Sequence, residues 1–215
     1  KALKEGSVGG GRMSMDQYLK FAVETPEDFE DMKRRYDSAN PWRYPTWFES
    51  RCTCWNAREH PMCLCVNCAM GLYSNLRVWM GTENLSYAFF DQPKLVHEMV
   101  EFITDFTIEA LTPALEAVEI DYFNYFEDFA FKTGPLLSPR TYREFIQPHL
   151  RRMVDFMKGM GVRYFAVDTD GDPTLLVEDY RSLAAQLRQA GVRQVVGAVV
   201  AADPRVATAR VPWGG

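Results

Sequence analysis

Acidic side chains gather at two places in the sequence where an apolar, strand-forming run ends. Glu127 and Asp128 follow the first run, with Lys132 close behind them, and the stretch DTDGD at 168–172 follows the second. Carboxylates that share a partly apolar cleft cannot all ionise freely, so some have raised pKa values and can donate or accept a proton. These residues therefore predict a site for proton-transfer chemistry, provided that the fold brings both stretches to one cleft.

The acids differ in what their neighbours indicate. Asp172 precedes a proline, as a helix N-cap residue does, and Asp170 precedes a glycine, as in a simple turn. Asp128 and Asp168 stand at strand ends, where α/β proteins carry function, and are the stronger candidates. The sequence pattern DTDGD also suggests a calcium-binding loop, but the twelfth position from Asp168 is Asp179, where an EF-hand needs glutamate. We therefore expect acid–base chemistry rather than calcium binding.

Strands and helices alternate along the chain, and this order decides where the acids lie. Four apolar runs predict strands at 62–67, 120–126, 163–168 and 194–200. Helices are expected from Thr25 to about Tyr36, from about Asp91 with a kink or break at Pro113, from Ser138 to near Gly159, and from Asp172 to Gly191. The glycine-bounded stretch 71–81 predicts a short helix or loop. This alternation implies a parallel α/β sheet, doubly wound or closed as a (β/α)8 barrel, with the carboxyl ends of its strands at one edge.

Motifs of several other protein classes do not occur in the sequence. No G-x-G-x-x-G follows a predicted strand, and neither the P-loop pattern nor G-x-S-x-G is present. Three glycines at 9–11 lie in a polar stretch and indicate a flexible linker. His97 and His149 fall in predicted helices, with no nucleophile beside them to form a triad. The sequence therefore disfavours nucleotide binding and serine- or cysteine-hydrolase chemistry.

The composition of the 215-residue chain is that of a globular protein. It is 47% hydrophobic and 25% charged, with a net charge of −5, so it can bury a core. The acidic balance disfavours nucleic acid as a partner, no apolar run approaches the ~20 residues of a membrane span, and the first residues carry no secretory signal. We expect a soluble, cytoplasmic protein that acts on a small-molecule substrate and binds neither nucleic acid nor membranes.

The cysteines cluster in one short part of the chain, as Cys52, Cys54, Cys63, Cys65 and Cys68. An odd number without an export signal disfavours a disulfide framework. With His60, the last three form a candidate zinc tetrad, but their Cys-x-Cys spacing falls in a predicted strand, whereas many structural zinc sites use Cys-x2-Cys. We expect cysteines packed in the core and no metal.

Three longer stretches resemble the uroporphyrinogen decarboxylase superfamily. They are 71–106, which begins GLYSNLRVWMG, then 121–162, which begins DYFNYFEDFAFKTGPLLSP, and VDTDGD at 167–172. The most specific part is the acid pair at a strand end followed by GPLLSP, a tyrosine and REF. The similarity extends from roughly residue 15 to residue 180.

The resemblance implies a TIM-type (β/α)8 barrel. Such a barrel usually needs about 250 residues, and the four predicted strands account for part of one. We therefore expect a partial barrel over 25–200, truncated at both ends, with an N-terminal extension or linker at 1–24 and a C-terminal tail at 201–215.

The resemblance also implies two chemistries. Decarboxylases of this superfamily remove acetate carboxyl groups from the pyrroles of a tetrapyrrole, in porphyrin biosynthesis, without a metal or prosthetic group. Related methyltransferases pass a methyl group from a corrinoid to a thiol with zinc held by a His-x-Cys pair, and Asp168-Thr169-Asp170 stand where that pair is expected. The chain is therefore identified as a divergent branch near the corrinoid-dependent methyltransferases. A decarboxylase-like lyase without cofactor or metal is the first expectation.

For decarboxylation, a proton must reach the ring that accepts the electrons of the departing carboxylate, and a carboxylate must stabilise the cationic ring. The residues expected to be catalytic are Asp128, Asp168 and Glu127, and those expected to bind substrate are Arg77, Lys132, Asp170 and Trp79. One alternative is a corrinoid-linked methyltransferase, which would have a corrinoid protein as partner. Another is a catalytically incomplete fragment or binding module. A homodimer is a further expectation.

Overall fold

The computed structural model describes residues 2–4, 17–66, 71–177, 179 and 194–195. Its α-helices are α1 (Pro26–Lys33), α2 (Phe48–Asn56), α3 (Leu72–Met80), α4 (Thr82–Asp91), α5 (Pro93–Ala117), α6 (Pro139–Thr141) and α7 (Gln147–Gly159). Its strands are β1 (Ala2–Lys4), β2 (Gln17–Lys20), β3 (Cys63–Val66), β4 (Tyr122–Phe126), β5 (Ala130–Phe131), β6 (Gly134–Pro135), β7 (Tyr164–Asp168) and β8 (Gln194–Val195). A π-helical turn (Tyr142–Ile146) joins α6 to α7, and 3-10 turns occupy Pro41–Arg43 and Thr174–Leu176.

The central sheet is parallel, with strand order β3-β4-β7-β8. These are the four strands that the apolar runs predict, although 196–200 of the last run lie outside the described residues. Phe126 pairs with Asp168 in the register of β4 and β7, so the two acidic stretches begin at the same edge of the sheet. The α/β class with a parallel sheet is thereby confirmed. Two short antiparallel pairs, β1 with β2 and β5 with β6, accompany it.

The two faces of this sheet differ in burial. Along β4, Phe123 and Tyr125 are buried, whereas the alternate residues are half-buried. Phe165 of β7 lies beside Phe123 and joins the same core, together with Leu76 of α3 and Ile103 of α5. Successive side chains of a strand point to opposite faces, so helices cover one face and the other is partly open.

The strand starts are held together by a carboxylate at the opposite edge. Asp121 Oδ2 accepts hydrogen bonds from the Met62 backbone N–H at 2.8 Å and from Arg58 Nη2 at 2.7 Å, and Oδ1 accepts one from Arg163 Nη2 at 2.8 Å. These partners precede β3 and β7, so one side chain ties three segments together. The Met62 and Arg58 hydrogen bonds hold the pKa of Asp121 at about 2.

Helix α1 begins as its sequence predicts. The Thr25 hydroxyl oxygen accepts a hydrogen bond from the Asp28 backbone N–H, and the Asp28 carboxylate accepts one from the Thr25 backbone N–H, which forms a capping box before Pro26. The helix ends at Lys33, a turn short of the predicted Tyr36. Its buried residues, Phe29 and Met32, anchor it on the core.

Of the kink or break expected at Pro113, the break is wrong, because α5 runs through this residue to Ala117. Ala110 and Leu115, on either side of the proline, are both buried, so packing holds the helix in one piece. The Tyr44 hydroxyl donates a hydrogen bond of 2.6 Å to the Ala110 carbonyl in the same region. Tertiary contacts thus outweigh the cost of one proline.

The stretch 71–81, predicted as a short helix or loop, is the helix α3, whereas the sequence does not predict α2 and α4. Asp172 Oδ1 accepts a hydrogen bond of 3.0 Å from the Thr174 backbone N–H, but the N-cap residue of the turn at Thr174–Leu176 is Pro173 and not Asp172 as predicted. That turn is a 3-10 turn, and most of the predicted helix to Gly191 lies outside the described residues.

The expectation of core cysteines is corrected for the described cysteines. Cys52 and Cys63 are half-buried and Cys54 is exposed, all as free thiols. The reason is that α2, which carries Cys52 and Cys54, buries none of its residues. The Cys65 side chain and Cys68 lie outside the described part. None of the helices described combines the length and apolar character needed to cross a membrane.

Candidate active site

The two neighbouring acids after β4 have different surroundings. The alternation of β4 continues past its last residue, so that Tyr125 and Glu127 are buried on the helix side and Asp128 is half-buried. Asp128 is therefore the acid of this pair that a substrate can reach. Glu127 is enclosed in the protein.

Glu127 lies at the N-terminal end of α3. Its Oε1 accepts hydrogen bonds from the backbone N–H of Ser74 at 2.7 Å and from the Ser74 hydroxyl at 2.8 Å, and Oε2 accepts one from the Tyr73 N–H at 3.1 Å. The first backbone N–H groups of a helix have no acceptor within the helix, and this carboxylate accepts hydrogen bonds from two of them. Burial nevertheless raises the pKa of Glu127 to about 7, because the loss of water outweighs these hydrogen bonds.

Gly71 permits this arrangement by having no side chain. A Cβ at this position would lie 2.2 Å from the Phe126 carbonyl oxygen and 2.8 Å from Glu127 Oε1. The start of α3 can therefore approach the end of β4 only if the residue is glycine. The Tyr125 hydroxyl completes the junction by accepting a hydrogen bond of 2.7 Å from the Leu72 N–H.

Ser74 connects the enclosed acid to the accessible one. Its hydroxyl donates to Glu127 and accepts a hydrogen bond of 3.0 Å from the Asp128 backbone N–H. The orientation of the Asp128 backbone is therefore set by the same serine that binds Glu127. Glu127 and the Asp128 backbone are thus linked through one hydroxyl group.

Asp128 is surrounded by charges of both signs. Burial raises its pKa, and the neighbouring carboxylates of Asp170 and Asp168 raise it further. A hydrogen bond from the Asp170 backbone N–H, at 3.5 Å from Asp128 Oδ1, and the positive charge of Arg77 act in the opposite direction. The net effect is a raised pKa, which is what a proton donor near neutral pH requires.

Arg77 of α3 brings the cation of this cluster. Its Nη1 donates a hydrogen bond to the Asp128 carbonyl oxygen, and its Nε donates one of 3.3 Å to the Thr82 hydroxyl. The guanidinium also lies 5.8 Å from the centre of the Tyr73 ring. These contacts hold a positive charge beside Asp128.

The loops after β4 and β7 are bound to each other. The Glu127 N–H donates to the Asp168 carbonyl at 2.7 Å, and the Asp172 N–H donates to the Phe131 carbonyl at 2.8 Å. Gly171 has φ +78°, and a Cβ there would lie 2.4 Å from the Phe131 backbone. The hairpin β5–β6 is thus packed against the DTDGD loop, and the expected juxtaposition of the two acidic stretches is present.

The other two predicted site residues are Lys132 and Trp79. Lys132 is exposed in the turn between β5 and β6. Trp79 is buried, and its Nε1 donates a hydrogen bond of 3.1 Å to the Tyr36 hydroxyl within the aromatic core. We therefore assign Trp79 a packing role and keep Lys132 as an accessible cation near the hairpin tip.

Sequence reasoning missed Ser74, Tyr125 and Gly71. Ser74 and Gly71 lie in 71–81, and their link to β4 spans more than 50 positions of the chain, as the separation of 53 between Ser74 and Glu127 shows. Tyr125 carried a usable signal, because it lies two positions before Glu127 and so shares its face of the strand. Strand alternation alone therefore indicates that Glu127 and Asp128 have different roles.

The residues of the site do not form a zinc centre of the His-x-Cys type. Asp168 and Asp170 occupy the positions at which that pair is expected, and carboxylates do not suit thiol-activating zinc as histidine and cysteine do. Within the described ranges, no group of three or more His, Cys, Asp or Glu side chains is placed to hold a metal ion.

A comparison with protein-family models agrees with the resemblance in the sequence. The family model described as uroporphyrinogen decarboxylase (URO-D) matches residues 9–191, a range that contains every residue of the acidic cluster. Among solved structures, a methyltransferase from Methanosarcina mazei matches with a TM-score of 0.48 and 13% identity, over 59% of this chain and 34% of that one. The matched region thus spans about a third of the methyltransferase's length. No curated protein matches the chain.

Proposed function

Because the chain belongs to the uroporphyrinogen decarboxylase (URO-D) family, we propose that it is a decarboxylase-like enzyme in which Asp128 handles the proton. The observation that carries this proposal is the position of Asp128. It is a half-buried acid with a raised pKa, at the carboxyl edge of a parallel sheet, beside a fixed arginine.

We also propose that the parallel sheet is a wall of a TIM-type barrel. The family implies this fold, and helices on one face of the sheet with a partly open second face suit the outside and inside of such a wall. Asp128 and Asp168 would then lie at the carboxyl end of the barrel, where enzymes of this fold carry their active sites.

The proposed reaction replaces a carboxyl group by a proton. An acid first protonates the electron-rich carbon or ring of the substrate, which becomes cationic. The bond to the carboxylate then breaks, its electron pair enters the cationic system, and carbon dioxide leaves. Where the ring was protonated, the carbon that lost the carboxyl group takes up a proton and the ring gives one back, so that hydrogen replaces the carboxyl group overall. Asp128 is suited to deliver the proton, and the carboxylates of Asp168 and Asp170 are suited to stabilise the cation.

Arg77 is the residue best placed to bind a substrate carboxylate. Its guanidinium is held beside Asp128 by the Asp128 carbonyl and Thr82, so an anionic group bound there would lie next to the proton donor. Lys132 at the hairpin tip supplies a second, more mobile cation.

The balance of charges favours a substrate with few carboxylates. The carboxylates of Asp168 and Asp170 both act on Asp128, and the guanidinium of Arg77 acts against them. A tetrapyrrole with many carboxylates would be repelled by this cluster, whereas a smaller acid with one or two carboxylates would fit the available positive charge. We therefore place a small acid with an electron-rich carbon ahead of uroporphyrinogen as the substrate.

The test is product analysis with two substrate classes. The protein is incubated with uroporphyrinogen and with pyrrole-acetic acid, and carbon dioxide and the carboxyl count of each product are measured. We expect the native protein to release carbon dioxide from the monopyrrole. This activity should be lost in Asp128→Asn and retained in Asp155→Asn, a variant on the exposed part of α7. Absence of carbon dioxide from both substrates would remove the decarboxylase proposal.

The same acidic cluster supports methyl transfer as the second candidate, because that reaction needs no polyanionic substrate. A corrinoid would then supply the methyl group, and a corrinoid protein would be the partner. Demethylation of methylcobalamin by the protein, with no carbon dioxide from either acid, would favour this candidate. If the protein shows neither activity, a binding module is the remaining candidate function.

A further inference from the structure

An apolar cavity of about 410 Å³ lies near the strand starts, at the edge of the sheet opposite the acidic cluster. Residues 43–47 and α2 form one side of the cavity, and α5 and the start of β3 form the other. Aromatic side chains form much of its wall, namely Tyr44, Trp47, Phe48, Trp55 and Phe106. We call it the aromatic cavity.

We propose that the aromatic cavity binds a small aromatic carboxylate, with its ring between the aromatic side chains and its carboxylate on Arg43. A volume of this size is within the range of small-molecule sites, about 300–1,000 Å³, and such sites are mostly apolar with few polar groups. This inference is independent of the proposed function, because the cavity shares no residue with the acidic cluster.

Hydrogen bonds at both ends of the segment from Tyr44 to Asn56 hold this side of the cavity in place. At one end, the Tyr44 hydroxyl donates a hydrogen bond of 2.6 Å to the Ala110 carbonyl. At the other end, Asn56 Nδ2 donates to the Ala117 carbonyl at 2.9 Å, and Asn56 Oδ1 accepts from the Glu119 N–H at 2.9 Å. These polar contacts hold α2 over α5, although α2 buries none of its own residues.

The wall is arranged before any ligand binds. The ring centres of Tyr44 and Phe48 are 4.7 Å apart, those of Phe48 and Trp55 are 5.7 Å apart, and those of Trp47 and Trp55 are 6.2 Å apart. Contacting rings restrict one another, so little side-chain freedom remains to be lost on binding. Trp47 is 54% exposed and lies open to an incoming ring.

The charge of the cavity selects an anion. Arg43 is the one charged residue of its lining. Its guanidinium lies 4.4 Å from the centre of the Phe106 ring, and its Nε donates a hydrogen bond to the Asp37 carbonyl. Within the described residues it forms no ion pair with a carboxylate, so a ligand carboxylate would find a cation available.

The test uses 2-naphthoate as the probe and 2-naphthamide as its uncharged match, each titrated into the protein by calorimetry and by tryptophan fluorescence. We expect saturable binding of 2-naphthoate, about tenfold tighter than 2-naphthamide, which is the effect of one charge-assisted hydrogen bond. Arg43→Gln should remove this preference. Arg51→Gln on α2, outside the lining, should keep it.

A second variant tests the location. Ala114 lines the cavity on α5, and Ala114→Phe should fill it and abolish binding of both probes, with an unchanged circular dichroism spectrum. The proposal is overturned if neither probe binds, if the naphthamide binds as tightly as the naphthoate, or if folded Ala114→Phe binds both as the native protein does.

Discussion

The enclosed carboxylate of Glu127 makes a specific prediction about stability and pH. Its pKa is about 7 in the folded protein, against an ordinary value of 4.5. A raised folded pKa means that the folded state holds its proton more tightly than the unfolded chain. The contribution of Glu127 to stability is therefore complete below pH 4.5 and is lost as the pH rises to about 7.

The magnitude follows from the same values. One pKa unit corresponds to about 1.4 kcal/mol, so ionisation of Glu127 lowers the free energy of unfolding by about 3 kcal/mol between low pH and pH 8. The variant Glu127→Gln is uncharged at every pH and has no such loss. The difference in unfolding free energy between the native protein and Glu127→Gln should thus change by about 3 kcal/mol over this range.

The assay is urea unfolding at intervals from pH 4.5 to 8.5. The pKa of His149 is lowered by burial, so its protonation destabilises the fold as the pH falls, in part of the same window. This effect is common to both proteins and cancels in the difference. Glu116→Gln, on the exposed side of α5, is the matched control and should give a profile parallel to the native one. Parallel profiles for the native protein and Glu127→Gln would refute the enclosed-acid assignment.

Three further predictions concern the frame of the site. Gly71→Ala should destabilise the fold by about 2 kcal/mol or more in thermal unfolding, because its Cβ would lie 2.2 Å from the Phe126 carbonyl oxygen, whereas Gly159→Ala, with open space around it, should be neutral or stabilising. Ser74→Ala removes a hydroxyl bound to the enclosed carboxylate and should cost about 1–3 kcal/mol in urea unfolding, with the stability loss shifted to higher pH. Asp121→Asn should cost about 2 kcal/mol above pH 4, since the native pKa of about 2 gives stability that is present above pH 4 and lost as the pH falls toward 2. An acid titration in which native protein and Asp121→Asn differ equally at all pH values would contradict the last of these.

Strand positions are the part of the fold that the sequence determines best. The run IDYFNYF is rich in β-branched and aromatic residues, and β4 lies within it, at Tyr122–Phe126. Glycines on both sides of 71–81 mark the ends of α3 correctly. These features are local, so they can be interpreted without knowledge of tertiary contacts.

Neither the helix α2 nor the continuity of α5 through Pro113 could be predicted from the sequence, and the reason is the same for both. The sequence of α2 has no side-chain cap at its start and no buried residue, so it lacks both a start signal and an apolar stripe. In α5, the local cost of Pro113 is offset by distant contacts, among them the hydrogen bond from Tyr44 to Ala110. Both outcomes depend on parts of the chain that are distant in sequence.

The site shows the same division between local and long-range information. The proximity of Asp128 to the DTDGD loop follows from the parallel strand order, which the alternation of elements indicates. The enclosure of Glu127 depends on Ser74, 53 positions away, and on a glycine that permits close approach. Trp79 lies two positions from Arg77, but residues two positions apart on a helix face different directions, and the Trp79 side chain is buried against Tyr36.

The most direct test of the account is the rate of carbon dioxide release from pyrrole-acetic acid by the native protein, Asp128→Asn and Asp155→Asn. A general acid contributes about 100-fold or more to the rate. If Asp128 is the proton donor, Asp128→Asn loses at least this factor while remaining folded, and Asp155→Asn keeps the native rate. Equal rates for the native protein and Asp128→Asn would contradict the assignment of Asp128 as the proton donor.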